Sequence, residues 1–251
     1  MIIKITSIIL PLILVIIFSI LTELIVKYFG KTWITYSTLP ILGIILSAIT
    51  YLVFKKLSDY QNLQVMNLGS GIGFVGGMIL GLIVSCTVAY LFYLIKAPKY
   101  NISLISKDIH LRMLANVFPA LVEEITFRGG IVHFLTTFWG KTVGLIGGSV
   151  PFGIIHFVGR IFGHPVDFFH VVGVSMAGLT LSVLYLEFGL LPAVGFHWTW
   201  NFLCPQWVKV FNLPQKGGVQ LLEGHWITST VLLIVVIALL IIKKIVWTPL
   251  K

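Results

Sequence analysis

Three charged side chains stand close together in one long apolar stretch of the sequence. Glu123, Glu124 and Arg128 lie within residues 111–137, a hydrophobic run long enough to cross a bilayer. An ionisable group at mid-membrane costs roughly 2.5–3.5 kcal/mol, so its presence needs a reason. Arg128 follows Glu124 by four residues on the same helical face, which predicts a buried ion pair. Glu123 is left without a countercharge and is therefore a candidate general base.

Two further apolar stretches supply polar groups that could meet Glu123. His156 lies late in residues 143–161, and His197 and Asn201 lie four residues apart, on one helical face, in residues 189–208. A histidine taken singly in an apolar helix is more often a hydrogen-bonded core residue, because buried polar groups usually find partners. Alternating helix directions and a rise of about 1.5 Å per residue place all four side chains near one membrane side. We expect them to line one polar cavity that opens to that side.

A carboxylate, two imidazoles and a carboxamide in one wet cavity suit the hydrolysis of an amide. The carboxylate accepts a proton from water, an imidazole orients that water, and the remaining donors stabilise the oxyanion. Glu123, His156 and His197 could instead hold a zinc ion, which would acidify the water. The sequence does not choose between metal-free and zinc-assisted activation. No serine or cysteine has a comparable polar setting, so a covalent nucleophile is not indicated.

The composition shows which solvent surrounds these elements. Of the 251 residues, 58% are hydrophobic and only 10% are charged, whereas soluble domains carry about 25% charged residues. So few polar groups could not cover a water-soluble surface, and lipid must surround most of the chain. The net charge of +9 comes from basic residues scattered singly or in pairs between apolar runs. This spacing suits phospholipid headgroups, and no nucleic acid partner is expected.

We predict an all-α, polytopic membrane helical bundle with about eight transmembrane helices and a polar cavity open to one side. Residues 1–251 are expected to form a single membrane-embedded domain, because the connections are short and no linker or repeat is present. The protein is thus expected to be a multi-pass integral membrane protein, in the cell membrane if it is prokaryotic. The spans are expected at about residues 5–27, 33–54, 70–95, 111–137, 143–161, 168–187, 189–208 and 226–246.

Glycines recur every four residues in the third expected span, at Gly69, Gly73, Gly77 and Gly81. They predict a flat stripe that permits close helix–helix approach. The overlapping GxGxxG pattern of residues 71–76 lacks the preceding strand that a dinucleotide site needs, so we interpret it as packing.

Three polar residues, each three positions after the last, lie around the start of the sixth expected span. His164, Asp167 and His170 could ligate a metal. Polar residues normally collect where two spans meet, so we favour a hydrated interfacial loop.

The motif residues, taken in order, resemble a known family. Residues 123–128 (EEITFR), 152–156 (FGIIH) and 197–201 (HWTWN) match the patterns EExxxR, FxxxH and HxxxN. They are similar to those of the CAAX-protease and bacteriocin-processing (CPBP) intramembrane proteases. That family includes the Ras-converting CAAX prenyl endopeptidases and the bacterial Abi proteins. The resemblance covers about residues 110–208, which we take as the motif-bearing core.

The resemblance implies a role for each motif residue. By analogy, Glu123 is the general base and His156 acts on the water. His197 and Asn201 would form the oxyanion site. The catalytic set that carries over, including its two supporting residues, is Glu123, Glu124, Arg128, His156, His197 and Asn201.

The resemblance also implies an endopeptidase that cleaves a membrane-anchored protein or peptide. The substrate could be a prenylated CAAX tail or a leader peptide, and the sequence does not distinguish them. Family members are commonly labelled metalloproteases, so zinc on Glu123, His156 and His197 is the one cofactor that stays open.

Two other classes of function fit a membrane bundle with buried charges. A proton-coupled transporter would use the same carboxylates as relay groups, and it often carries a repeated half, which this sequence lacks. A non-catalytic immunity or scaffold protein is the other alternative. Every motif position holds the expected residue type, which favours catalysis.

Overall fold

The computed structural model describes residues 2–29, 33–60, 63, 66–96, 98–101, 109–161, 163, 165–214 and 217–247. Every regular element within these ranges is helical, as predicted. One stretch has π-helical geometry, Ile125–Val132, and follows α4 directly. The α-helices are α1 (Ile2–Phe29), α2 (Trp33–Tyr60), α3 (Gly71–Lys96), α4 (Ile109–Glu124), α5 (His133–Trp139), α6 (Lys141–Ile155), α7 (Val158–Ile161), α8 (Phe168–Phe188), α9 (Leu190–Val210), α10 (Gly218–Glu223) and α11 (Trp226–Trp247).

Several of these helices are suited to lipid. In the described part of the chain, five helices are long and apolar enough to cross a membrane, namely α1, α2, α3, α8 and α11. A helix satisfies its backbone hydrogen bonds internally, which the bilayer interior requires. Leu52, Ile83 and Ile234 each expose more than half of their surface, as lipid-facing side chains do. The chain is therefore an integral membrane protein with a helical bundle.

The expected count of eight transmembrane helices is not confirmed. The fourth expected span, 111–137, is divided into α4, the π-helical segment and α5. The fifth expected span contains α6, which has only 15 residues, followed by a turn and the short α7. The seventh corresponds to α9, which has 21 residues but includes polar side chains.

The central helices are α8 and α9. In the apolar stretch of α8, 61% of the residues are buried inside the protein, whereas in α1 only 14% are. α8 packs on α6, α9 and α11, and α9 packs along α3. These contacts bring the three motif-bearing parts of the chain together around α8.

The glycine stripe of α3 forms the contact with α9, as predicted. A Cβ atom at Gly77 would overlap the carbonyl oxygen of Pro192, and one at Gly81 would lie 2.8 Å from the carbonyl oxygen of Phe196. Only glycine permits this close approach of two helix backbones. The contact fixes α9, which carries His197 and Asn201.

Candidate active site

The two acids of the first motif stand at a change in helix geometry. Glu123 and Glu124 are the last residues of α4, and Arg128 lies in the π-helical segment that follows. All eight residues of that segment are buried. π-helical turns are rare and occur frequently at functional sites. This turn therefore marks the first motif as the place where the backbone departs from regular geometry.

Glu124 and Arg128 form the predicted buried ion pair. Both side chains are fully buried, and Arg128 Nη1 donates to Glu124 Oε1 at 3.0 Å. Arg128 Nη2 donates to the carbonyl oxygen of Gly178 in α8 at 3.0 Å. The guanidinium carbon lies 4.3 Å from the ring centroid of Phe152 in α6, within cation–π range. One arginine thus joins α4, α6 and α8.

His197 stands between the two adjacent acids. Its Nδ1 lies 2.7 Å from Glu124 Oε1, and its Nε2 lies 3.6 Å from Glu123 Oε2. The sequence left Glu123 without a countercharge on its own helix and named His197 among the groups that could meet it, and the two side chains do lie close together. Glu123 is half-buried, with 23% of its side chain exposed. An oxygen atom about 2.8 Å from both Nε2 and Oε2 fits this separation, so the two groups can hold one water molecule.

His156 is held in one orientation by its own helix. Its Nδ1 lies 2.8 Å from the carbonyl oxygen of Phe152. A carbonyl oxygen only accepts hydrogen bonds, so Nδ1 carries the proton and Nε2 is left for other groups. The ring also packs edge-on against Phe152, with centroids 5.2 Å apart.

A small cavity unites three of the four residues expected there. His156, His197 and Asn201 line a cavity of about 30 Å³ between α6, α8, α9 and α10. That volume holds roughly two water molecules. Glu123 is not part of the cavity wall, but it lies 3.6 Å from His197, which is. The arrangement thus joins a carboxylate, through His197, to a water-sized space with hydrogen-bonding side chains.

Three polar residues form a cluster at this cavity that the sequence analysis did not predict. His170 is buried with 3% of its side chain exposed, so the expected hydrated loop is wrong at this residue; His164 lies outside the described residues. His170 Nε2 lies 2.9 Å from Glu223 Oε2, and Trp200 Nε1 donates to Glu223 Oε1 at 3.2 Å. The chain contains only eight acidic residues. Glu223, an acid between two apolar helices, was the signal that could have found this cluster.

The zinc expectation finds little support in the donor geometry. Within the described ranges, no three histidine, cysteine, aspartate or glutamate side chains are grouped as a set that could hold a metal ion. Both nitrogens of His197 already face carboxylates. Zinc on Glu123, His156 and His197 stays a prediction.

Together the fold and the motifs define a helical membrane protein with an acid–imidazole site. Residues 106–203 match the model of the family described as Type II CAAX prenyl endopeptidase Rce1-like. All six expected site residues lie inside the matched segment. No curated protein and no solved structure matches the chain. Residues 106–203 are thus similar to this family of CAAX prenyl endopeptidases, in the same part of the chain that carries the three motifs.

Proposed function

We propose that this protein is an intramembrane endopeptidase that hydrolyses one peptide bond of a membrane-anchored protein or peptide. The match of residues 106–203 to a family of CAAX prenyl endopeptidases supports the peptidase class. The observation that carries the proposed chemistry is His197, which contacts Glu124 through Nδ1 and faces Glu123 through Nε2. The substrate class that the family suggests is a CAAX-type tail with a prenyl anchor, and leader-peptide processing is the alternative within the same chemistry.

The proposed reaction uses a water molecule bound beside Glu123. The Glu123 carboxylate takes one proton of this water while the water oxygen attacks the carbonyl carbon of the peptide bond. When His197 Nε2 carries a proton, it and the Asn201 amide donate to the tetrahedral oxyanion. Glu123 then returns its proton to the leaving nitrogen as the carbon–nitrogen bond breaks. His156 Nε2 orients the water from the cavity.

Glu124 and Arg128 act by holding the reacting groups in place. Glu124 Oε1 accepts from both Arg128 and His197, so it fixes the direction of the imidazole. A carboxylate bound to the far nitrogen of an imidazole sets which nitrogen faces the reaction. We also propose that residues 1–251 work as one membrane domain, because α3, outside the matched segment, supports α9.

The test is the Glu123→Gln variant, purified in detergent and assayed with a quenched-fluorescent peptide that ends in a CAAX tail carrying a farnesyl group. Cleavage is expected to fall at least about a hundredfold, the usual contribution of a general base, while thermal unfolding stays unchanged. Asp59→Asn, at an exposed acid near the end of α2, is the matched control and is expected to retain activity. Normal turnover by a folded Glu123→Gln protein would refute Glu123 as the base.

A further inference from the structure

The wall of the cavity includes a carboxylate that the proposed reaction does not use. Glu223, the last residue of α10, lines the cavity together with His156 and Asn201. Each of its oxygens has one partner, Trp200 Nε1 on Oε1 and His170 Nε2 on Oε2. Glu223 lies outside the segment that matches the family, so the family match assigns it no role.

Attachment of α10 does not require a negative charge at this position. Leu222 is buried, and its carbonyl oxygen accepts from Thr228 Oγ1 at 2.7 Å, which already fastens α10 to α11. The Nδ1 atom of His170 is buried and has no hydrogen-bond partner among the described residues. Among these residues, only the Glu223 carboxylate, which accepts from Nε2, fixes the tautomer of His170, and loss of this carboxylate would let the proton move to Nδ1. A neutral glutamine at position 223 could therefore accept from Trp200 and donate to His170 Nε2. The contacts that hold α10 in place therefore do not explain why position 223 carries a carboxylate instead of a neutral amide.

The carboxylate has unused capacity that faces the cavity. A carboxylate offers about four acceptor directions, and Glu223 uses two of them in the described contacts. Its side chain is 16% exposed. The cavity holds roughly two water molecules, and His156, His197 and Asn201 line it together with Glu223. A small polar group that enters the cavity therefore lies close to Glu223. A hydrogen-bond donor on the substrate can reach it.

Hydrolysis of a peptide bond always creates such a donor. The oxygen of the attacking water ends in the new carboxylate, and both of its protons end on the leaving nitrogen at neutral pH. The departing C-terminal fragment therefore carries a primary ammonium group, whose ordinary pKa is about 7.7–8.0. An ammonium group bound to a carboxylate forms a charge-assisted hydrogen bond, which is stronger than a neutral one.

We propose that Glu223, held by His170 and Trp200, is the subsite that receives the amino group of the departing C-terminal fragment. This subsite rests on the proposed hydrolytic function. It gives the site two carboxylates with separate tasks. Glu123 handles the protons of the water, and Glu223 binds the positive charge that forms on the leaving side of the broken bond.

The test compares three small probes that differ only at the amino end. They are the tripeptide Ala-Leu-Ala, its N-acetyl form, and the analogue in which a hydroxyl group replaces the amino group. Binding to the purified full-length protein is measured by thermal stabilisation and by inhibition of reporter cleavage. The free-amine probe is expected to bind at least about tenfold more tightly than either analogue, as a hydrogen bond between charged groups allows.

The variants then assign that preference to one residue. Glu223→Gln is expected to reduce the preference to within about twofold while the unfolding temperature stays near that of the wild type. Glu187→Gln removes a buried carboxylate that pairs with Lys141 and Lys243 instead of lining the cavity, and it is expected to keep the full preference. If the wild type binds all three probes equally, the proposal is overturned, and this result needs no variant to fold. A preference that persists in folded Glu223→Gln also overturns it.

The binding measurement separates this proposal from the proposed function. A wild type that prefers the free amine through Glu223 but cleaves no reporter supports the subsite and contradicts the hydrolytic function. A wild type that cleaves the reporter without any amine preference contradicts the subsite alone.

Discussion

Replacement of Arg128 by methionine tests how the site is held together. Methionine fills much of the same space but removes both hydrogen bonds and the positive charge. Glu124, fully buried, would keep only His197 as a partner. The carbonyl oxygen of Gly178 would lose one of its two side-chain donors and keep Ser182. The main loss is therefore the countercharge of Glu124.

The expected cost follows from the burial of the pair. Removing one partner of a buried ion pair costs about 3–5 kcal/mol, because an uncompensated charge is left inside the protein. For a chain of 150–250 residues, 1 kcal/mol corresponds to about 2–4 °C in Tm. Arg128→Met is therefore expected to lower Tm by roughly 6–20 °C. Tryptophan fluorescence during heating of the purified protein in detergent measures this shift.

A second substitution decides whether charge is the reason. In the double variant Glu124→Gln, Arg128→Met, the buried charge is gone, and the glutamine oxygen can still accept from His197 Nδ1. The double variant is expected to unfold at a higher temperature than Arg128→Met alone, since replacing both members of a buried pair is often nearly neutral. If Arg128→Met unfolds within about 2 °C of the wild type, or if the second substitution lowers Tm further, the electrostatic argument is refuted.

Two further predictions concern the packing of the bundle and are both read from Tm in detergent. Gly77→Ala places a methyl group against a backbone carbonyl of α9 and is expected to cost about 1–3 kcal/mol or more. Gly76→Ala, one residue away with no atom within 4 Å of the new Cβ, is expected to be neutral or slightly stabilising, and equal effects of the two would contradict the close contact. Glu187, buried at the end of α8, pairs with both Lys141 and Lys243. Lys243→Met alone is expected to lower the free energy of unfolding by less than about 1 kcal/mol. Loss of both lysines leaves Glu187 unpaired and is expected to lower it by about 3–5 kcal/mol. If the double variant lost only the sum of two small single effects, the two lysines would not share Glu187 as a partner.

The sequence was most informative where the chemistry is local to one helix. The spacing of four between Glu124 and Arg128 predicts their ion pair, because residues four apart share a helix face. The same periodicity in the glycines of α3 predicts a flat contact surface, and the structure confirms it against α9. Hydropathy alone predicts the all-helical membrane fold. Each of these inferences needs only the geometry of a single helix.

Contacts between distant helices could not be predicted in the same way. His197 reaches both acids because α9 is pressed onto α3, and no spacing within α9 encodes that approach. The π-helical segment carries Arg128, which contacts α6 and α8, but its sequence lies in an apolar run that suggested one continuous span. α10 has only six residues, too few to give a periodic signal, and its acid Glu223 was therefore overlooked.

The division of the site among separate helices affects how the protein matures in the membrane. Among the elements of the site, synthesis delivers α4 and the π-helical segment first, and these carry the ion pair of Glu124 and Arg128. The carbonyl of Gly178 arrives with α8, and His197 arrives later still with α9. Before then, Glu123 has no imidazole beside it, so a nascent or truncated chain cannot perform the proposed cleavage. Under the proposed function, hydrolysis would begin only when the whole bundle has assembled, and an incomplete chain would not cleave neighbouring membrane proteins.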